Sequence, residues 1–414
     1  MMWNGTGRGL KALAVSLAVG LGMTACSRDY TVGYLYVTSA THTTNGLINA
    51  YSIDFQSGAI QQLPDSPVQS SGSNPVTLVA SPNGKNLYVV NQNTSQVVQF
   101  AIGTDGQLYE QKQHADVVIG ANGITGSIPT AAAIDPTGKF LYVTFLYQNG
   151  FTPLKPGPGG VAVYPLAADG TIGSPLVSTV AGTSLPYTPV GNNPMGIVVS
   201  PVGGYVYVID QEKPASGSPF GVLLAFTADP TTGALTPIAG TVSGGFAVGT
   251  SPAGIAEDPG GRYIYVTDST TNQLYAFSVS AGGAPFANLS SPFITGQFPE
   301  GVTVDPRGMF VYVANFGSST ISSYAINSST GSLSGLATSS SASVETNPTC
   351  VTIDPALGIY LYSSNNTGNS VSALQLDPHT GTLKNVQNTP FTAQPLPTCA
   401  VAVANGAHAK QLIN

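Results

Sequence analysis

The feature that most constrains this chain is an internal repeat. One unit recurs: a proline, a run of small and β-branched residues, an Asp/Ser-Pro-x-Gly group, then an aromatic β-run around a tyrosine. Copies open at Pro75, Pro129, Pro194, Pro252, Pro299 and Pro348. Their aromatic runs carry Tyr88-Val89, Tyr142-Val143, Tyr207-Val208, Tyr265-Val266, Tyr312-Val313 and Tyr362-Ser363. Successive opening prolines are 54, 65, 58, 47 and 49 residues apart. A period of about fifty residues made only of strands is that of a propeller blade.

Each copy reads as four strands. The first follows the proline, as in Gly301-Val302-Thr303-Val304. The Pro-x-Gly group then reverses the chain, because proline presets φ and glycine supplies the positive φ of a tight turn. Strand two alternates, as in Tyr263-Ile264-Tyr265-Val266. Strand three carries a bulky residue at one register: Tyr51, Phe100, Tyr164, Phe226, Phe277, Tyr324 and Leu374. These are expected to pack between neighbouring blades. Short turns such as Thr232-Gly233 and Thr380-Gly381 lead into a weak fourth strand.

The two ends of the repeat region complete each other. Tyr34–Thr38 and Leu47–Tyr51 read as strands two and three of a blade without a first strand. Leu396–Val403 is a first strand with nothing after it, and Pro397 follows Pro348 by 49 residues. The expected fold is therefore all-β, a seven-bladed propeller of four-stranded blades. Its ring closes where the C-terminal innermost strand joins the N-terminal blade. Such closure removes two open sheet edges that would invite aggregation.

The N-terminus reads as a targeting segment. Arg8 and Lys11 precede a short apolar run, Ala12–Gly22, too short for a stable membrane span. Met23-Thr24-Ala25-Cys26 then resembles a bacterial lipobox, which implies cleavage before Cys26 and acylation of its thiol. Ser27 rather than Asp after the cysteine implies the outer membrane in a Gram-negative organism. The expected organisation is a signal peptide over 1–25, a lipidated cysteine and linker over 26–32, the propeller over 33–406 and a tail over 407–414. The expected location is the bacterial cell envelope, with contact to the membrane through the lipid anchor. A monomer is expected.

Charged residues make up only 7% of the chain, against about 25% in a typical soluble domain, and the formal net charge is −7. No basic cluster appears, which excludes a nucleic-acid footprint. Besides Cys26 there are two cysteines, Cys350 and Cys399, each two residues after a blade-opening proline. Other blades place Thr77, Ala131, Gly196, Gly254 and Gly301 there, mostly small, as suits a crowded position near the channel axis. The pair is either a disulfide, which export permits, or two buried thiols.

Ligands of propellers usually meet the face where innermost strands begin and the loops after strand two emerge. That face is expected to present Asn91, Asp210, Asp268, Asn315 and Asn365 as ligand-binding residues. Three insertions overhang it, over 145–160, 183–192 and 211–220. They hold Tyr147, Phe151, Tyr187 and Phe220, suited to walling a glycan or peptide groove. Asp210, Glu212, Asp268 and Glu300 come from successive blades but form no contiguous metal motif. They read as solvated carboxylates, and neither metal nor cofactor is expected.

Tyr-Val-Thr-Asp at 265–268, Tyr-Val-Val-Asn at 88–91 and Tyr-Val-Ala-Asn at 312–315 resemble the YVTN-type repeat. With the Pro-x-Gly turns, the region 33–404 resembles the β-propeller lactonase family, which has 6-phosphogluconolactonase-like members. The resemblance implies His, Glu and Arg in the cleft of an enzymatic member. Of His42, His114, His379 and His408, only His42 is expected on that face. Arg262 and Arg307 fall in the Pro-x-Gly turns at the opposite end, which leaves Lys155 or Lys213 as point charges. The sequence therefore favours an envelope propeller that binds a glycan, peptide or partner protein on its loop-bearing face. The alternative is a lactonase-like hydrolase of sugar lactones, with His42 as base and Glu300 or Glu212 assisting.

Overall fold

Among the described residues seven antiparallel blade sheets form, each running outward from an innermost strand, with one two-stranded hairpin beside them. The computed structural model describes residues 30–41, 45–116, 126–148, 150–152, 154–155, 157–180, 182–211, 221–238, 245–288, 290–336, 340–406 and 411–413. The signal segment and Cys26 lie outside them. Thr31–Asn414 make one compact unit. In blade 1, Pro397–Ala404 pairs antiparallel with Thr31–Ser39, from Gly33↔Ala404 to Ser39↔Pro397. Leu47–Asp54 is that sheet's third strand. The N-terminal segment and the C-terminal strand thus share one blade, as expected. Blades 2 to 7 open with Pro75–Ala80, Ser127–Ile134, Pro194–Val199, Pro252–Glu257, Pro299–Val304 and Pro348–Ile353. Each innermost strand lies against that of the next blade, and Pro397–Ala404 touches those of both blade 7 and blade 2.

One hydrogen bond recurs at every seam. The tyrosine of each second strand donates its hydroxyl to the carbonyl of a glycine in the next blade, in the turn between its third and fourth strands. Tyr36 donates to Gly106 (2.7 Å), Tyr88 to Gly170 (2.7 Å), Tyr142 to Gly233 (3.3 Å) and Tyr207 to Gly283 (3.0 Å). Tyr265 donates to Gly331 (3.0 Å), Tyr312 to Gly381 (2.9 Å) and Tyr362 to Gly58 (2.9 Å), which brings the series back to blade 1. These tyrosines are at most 1% exposed, so each bond satisfies a phenol and a carbonyl removed from water. Burial also raises their pKa values, and they remain neutral donors.

The repeat residues around this bond follow from it. The accepting glycine has positive φ, 71° at Gly331, where a side chain is strained. A Cβ there would also overlap the Tyr263 ring, which packs on the turn. The aspartate before the Pro-x-Gly turn anchors the start of strand two. Asp258 Oδ1 accepts from the backbone N–H of Arg262 (2.6 Å) and Tyr263 (2.7 Å), and Asp305 Oδ1 from those of Met309 (2.6 Å) and Phe310 (2.8 Å). The bulky third-strand residues are buried as expected. Tyr51, for example, packs among Tyr360, Tyr362 and Ala373 of blade 7 and donates to Thr392 O (2.8 Å).

The weak fourth strand is present as expected, and one expectation about the insertions is corrected. The weak fourth strand is a strand broken in two in five blades, as in Pro285–Ala287 and Phe293–Ile294 of blade 5, both paired with Gln273–Val279. In three of them a hydroxyl fills the gap: Ser66, Ser291 and Thr389 accept from the backbone N–H of Ala50, Ala276 and Ala373. That N–H would otherwise be an orphan donor. The segment 183–192 is not an overhanging loop. Thr183–Leu185 forms a hairpin with Ser178–Val180, and Thr188–Pro189 pairs with the third strand of blade 3. Tyr187 is 3% exposed and packs edge-on against Phe145 at 5.2 Å, so it belongs to the core and not to a groove wall.

Breaking one seam bond is expected to cost less than filling its turn. Tyr265→Phe loses a hydrogen bond worth about 1 kcal/mol and leaves a buried carbonyl. Gly331→Ala adds backbone strain and displaces Tyr263, and should lower the urea midpoint further. A smaller shift for Gly331→Ala than for Tyr265→Phe would contradict this account of the turn.

Candidate active site

Seven innermost strands converge on the axis and leave a cavity of about 430 Å³. Every blade contributes to its wall, including Thr77, Thr130, Gly196, Gly254, Glu300 and Cys399. Small residues are required because the strands approach so closely: a Cβ on Gly254 would collide with the backbone carbonyl of Glu300. Hydroxyls tie neighbouring strands together there. Thr130 donates to Pro194 O (2.6 Å), Thr267 to Glu300 O (2.6 Å), Thr349 to Thr398 O (2.7 Å) and Thr398 to Pro75 O (2.7 Å). The cavity is therefore rigidly framed and lined mainly by neutral groups.

Glu300 is the one titratable side chain among the described residues lining this cavity. It is the second residue of Pro299–Val304, the innermost strand of blade 6, and is half-buried. Burial disfavours its ionised form and raises its pKa above the ordinary value. Two amides share the lining. Asn74 donates to Gln92 Oε1 (3.0 Å), which leaves the Gln92 Nε2 as its donor. Asn366 Nδ2 donates to Pro397 O (3.0 Å), which leaves Asn366 Oδ1 as an acceptor. A carboxylate thus shares a small chamber with an amide donor, an amide acceptor and threonine hydroxyls.

The other site expectations fare differently. His42 and Glu212 lie outside the described residues. Asn91, Asp210, Asp268, Asn315 and Asn365 sit at the expected register, at the ends of second strands, but are 0–1% exposed and turned into the protein. They do not form a ligand-facing ring. Asn91 exchanges hydrogen bonds with Ser70, donating to its carbonyl (2.9 Å) and accepting from its hydroxyl (2.8 Å). Asn315 accepts from Gly296 N (3.0 Å) and donates to Ser322 Oγ (2.9 Å), while Asn365 donates to Ser370 and Ser372 (3.0 Å each). Asp210 accepts from Asn193 N (3.1 Å). Asp268 accepts from the backbone N–H of Thr250, Ser251, Thr270 and Thr271. Asp210 and Asp268 are accordingly not solvated carboxylates. Their task is to satisfy loop backbone where the chain passes from blade to blade.

Cys350 and Cys399 are joined by a disulfide, with Cα atoms 5.0 Å apart. It links the innermost strands of blades 7 and 1, beside the seam where the ring closes, and both residues line the cavity. Arg262 and Arg307 are held in the far turns, the latter by Asp305 Oδ2 at 2.8 Å and the Gly358 carbonyl at 2.7 Å. Lys155 lies over the Phe151 ring at 5.7 Å. Glu300 was legible as a face residue. The part played by Asn366 was not, since it follows the strand-end Asn365 with no signal of its own.

The class is a seven-bladed propeller with an axial cavity. The sequence matches the model of the lactonase family of seven-bladed β-propellers over residues 34–210 and 223–353, and the chain belongs to that family. No curated protein sequence matches it. Among solved structures it resembles a candidate 6-phosphogluconolactonase of Bacteroides fragilis, at 18% identity and TM-score 0.68, covering 91% of this chain and 99% of that one. It also resembles the periplasmic gluconolactonase PpgL of Pseudomonas aeruginosa, at 20% identity and TM-score 0.65, covering 90% and 99%. At such identities the structural likeness concerns the fold.

Removing the disulfide is expected to loosen the closure. In the chain-entropy model a loop of 49 residues is worth about 4 kcal/mol. The Cys350→Ser, Cys399→Ser double variant should therefore unfold at a distinctly lower urea concentration than the oxidised protein. An unchanged midpoint would show that the Thr38–Ser39 side of the seam holds the ring unaided.

Proposed function

We propose that this chain is a lactone hydrolase, with Glu300 as the group that activates water. Family membership favours this reading over the binding-module expectation. The observation that carries it is a half-buried carboxylate of raised pKa in the axial cavity, among neutral hydrogen-bonding groups. Ionised Glu300 takes a proton from water, and the oxygen attacks the lactone carbonyl carbon. The charge that develops on the carbonyl oxygen meets the Gln92 amide donor. The tetrahedral intermediate then expels the ring oxygen, the acyl C–O bond breaks, and protonated Glu300 returns the proton to the departing alkoxide. The product acid loses its own proton to solvent.

Because only ionised Glu300 acts as base, activity should rise with pH through the raised pKa, above the usual carboxylate range. Glu300→Gln should lower kcat at least ~100-fold, within the range for loss of a general base, and abolish that rise. Full activity in Glu300→Gln would remove the proposal. The measurement requires correction for spontaneous lactone opening at each pH.

We further propose that the enzyme works outside the cytoplasm on an acyl anchor at Cys26. The lipobox-like Met23–Cys26 and the Cys350–Cys399 disulfide, a bond that oxidising compartments permit, support this. Intact mass of the protein extracted from its native envelope should fit a chain beginning at an acylated Cys26. A mass that includes residues 1–25 would refute it.

A further inference from the structure

We propose that the axial cavity takes a lactone that carries no phosphate, a neutral sugar lactone. This deepens the hydrolase reading and rests on the same site. Among the described residues lining the cavity, one side chain is charged, and it is the carboxylate of Glu300. Two sugar-phosphate relatives of a lactone, its phosphorylated form and the matching acid, bring a phosphate of about −1.5 to −2 charge at neutral pH. A protein holds such a group with arginine or lysine, or with a cluster of backbone N–H groups.

The two described arginines are committed elsewhere, and Lys155 lies over the Phe151 ring. Arg262 bonds Asp258 and the Ser328 carbonyl, and Arg307 bonds Asp305 and Gly358, in turns at the other end of the innermost strands. Lys85 and Lys139 lie in the corresponding turns of blades 2 and 3. Phosphate beside Glu300 would meet a like charge in a partly desolvated chamber, where screening by salt is weak. What the lining offers suits uncharged hydroxyls: the Gln92 donor, the Asn366 acceptor and Thr77, Thr130, Thr349 and Thr398. The same charge assists turnover. Hydrolysis converts a neutral lactone into a carboxylate, which ionised Glu300 repels from the cavity.

The test compares glucono-1,5-lactone with its 6-phosphate, by kcat/KM and by calorimetric binding of the corresponding lactams, which do not open. The neutral compound should be favoured at least tenfold in both assays. Glu300→Gln should narrow the gap in lactam affinity by strengthening binding of the phosphorylated lactam. Lys213 lies outside the described residues, and Lys213→Ala should leave the preference unchanged. A preference for the phosphorylated compounds, or lactam affinities that ignore the phosphate, would overturn the inference, as would failure of both lactams to bind. If the neutral lactam binds preferentially but neither lactone is hydrolysed, the inference stands and the hydrolase reading falls.

Discussion

The molecule depends on one repeated contact, the tyrosine hydroxyl that crosses each seam to a glycine carbonyl in the next blade. It occurs at all seven seams, from Tyr36–Gly106 round to Tyr362–Gly58. A four-stranded blade cannot bury both of its faces alone, and stacking on neighbours supplies the missing core. Apolar stacking sets no register by itself. A buried hydroxyl with one partner does, because a slip of one blade would leave a phenol and a carbonyl unsatisfied in the core. The Pro-x-Gly aspartates and the turn glycines serve this contact, one by anchoring strand two and the other by letting the turn come close.

The cavity is a consequence of the closed ring. Seven innermost strands of about six residues must meet around one axis, so the residues there are small and their hydroxyls bridge strand to strand. Into this neutral frame one blade brings a glutamate. Positions two residues after an opening proline carry Gly or Thr in several blades, and Cys350 and Cys399 occupy the two beside the closing seam. The covalent bond ties the closing strand to blade 7, while the pairing of that strand with Thr31–Ser39, which assembles blade 1 from opposite ends of the repeat region, is non-covalent. Stability and site are thus linked: the residues that close the ring also shape the chamber.

Much of this was legible in advance, and the misses share a cause. Proline spacing and Tyr-Val runs located the blades, and the incomplete ends foretold the shared blade. Asn91, Asp268, Asn315 and the other strand-end residues lie where the register puts them but face inward. A polar residue at a strand end reads as exposed, yet these turn inward because the connecting loops carry backbone N–H and C=O groups that no ladder serves. Tyr187 misled in the opposite sense. An aromatic in a long insertion suggests a groove, but its segment returns to the sheet as an outer strand and takes the ring into the core beside Phe145.

The sequence alone determined the blade count, the turn chemistry, the pairing of N- and C-terminal segments, and the family. Those properties reside in local spacing: which residue follows a proline, where glycine permits positive φ, and how apolar positions alternate. Tertiary structure decided which polar groups face water, that Cys350 and Cys399 meet, and that Glu300 shares a chamber with Gln92 and Asn366. The last two join residues from different blades. Their separation in space depends on how seven sheets converge on an axis, a quantity no stretch of sequence contains.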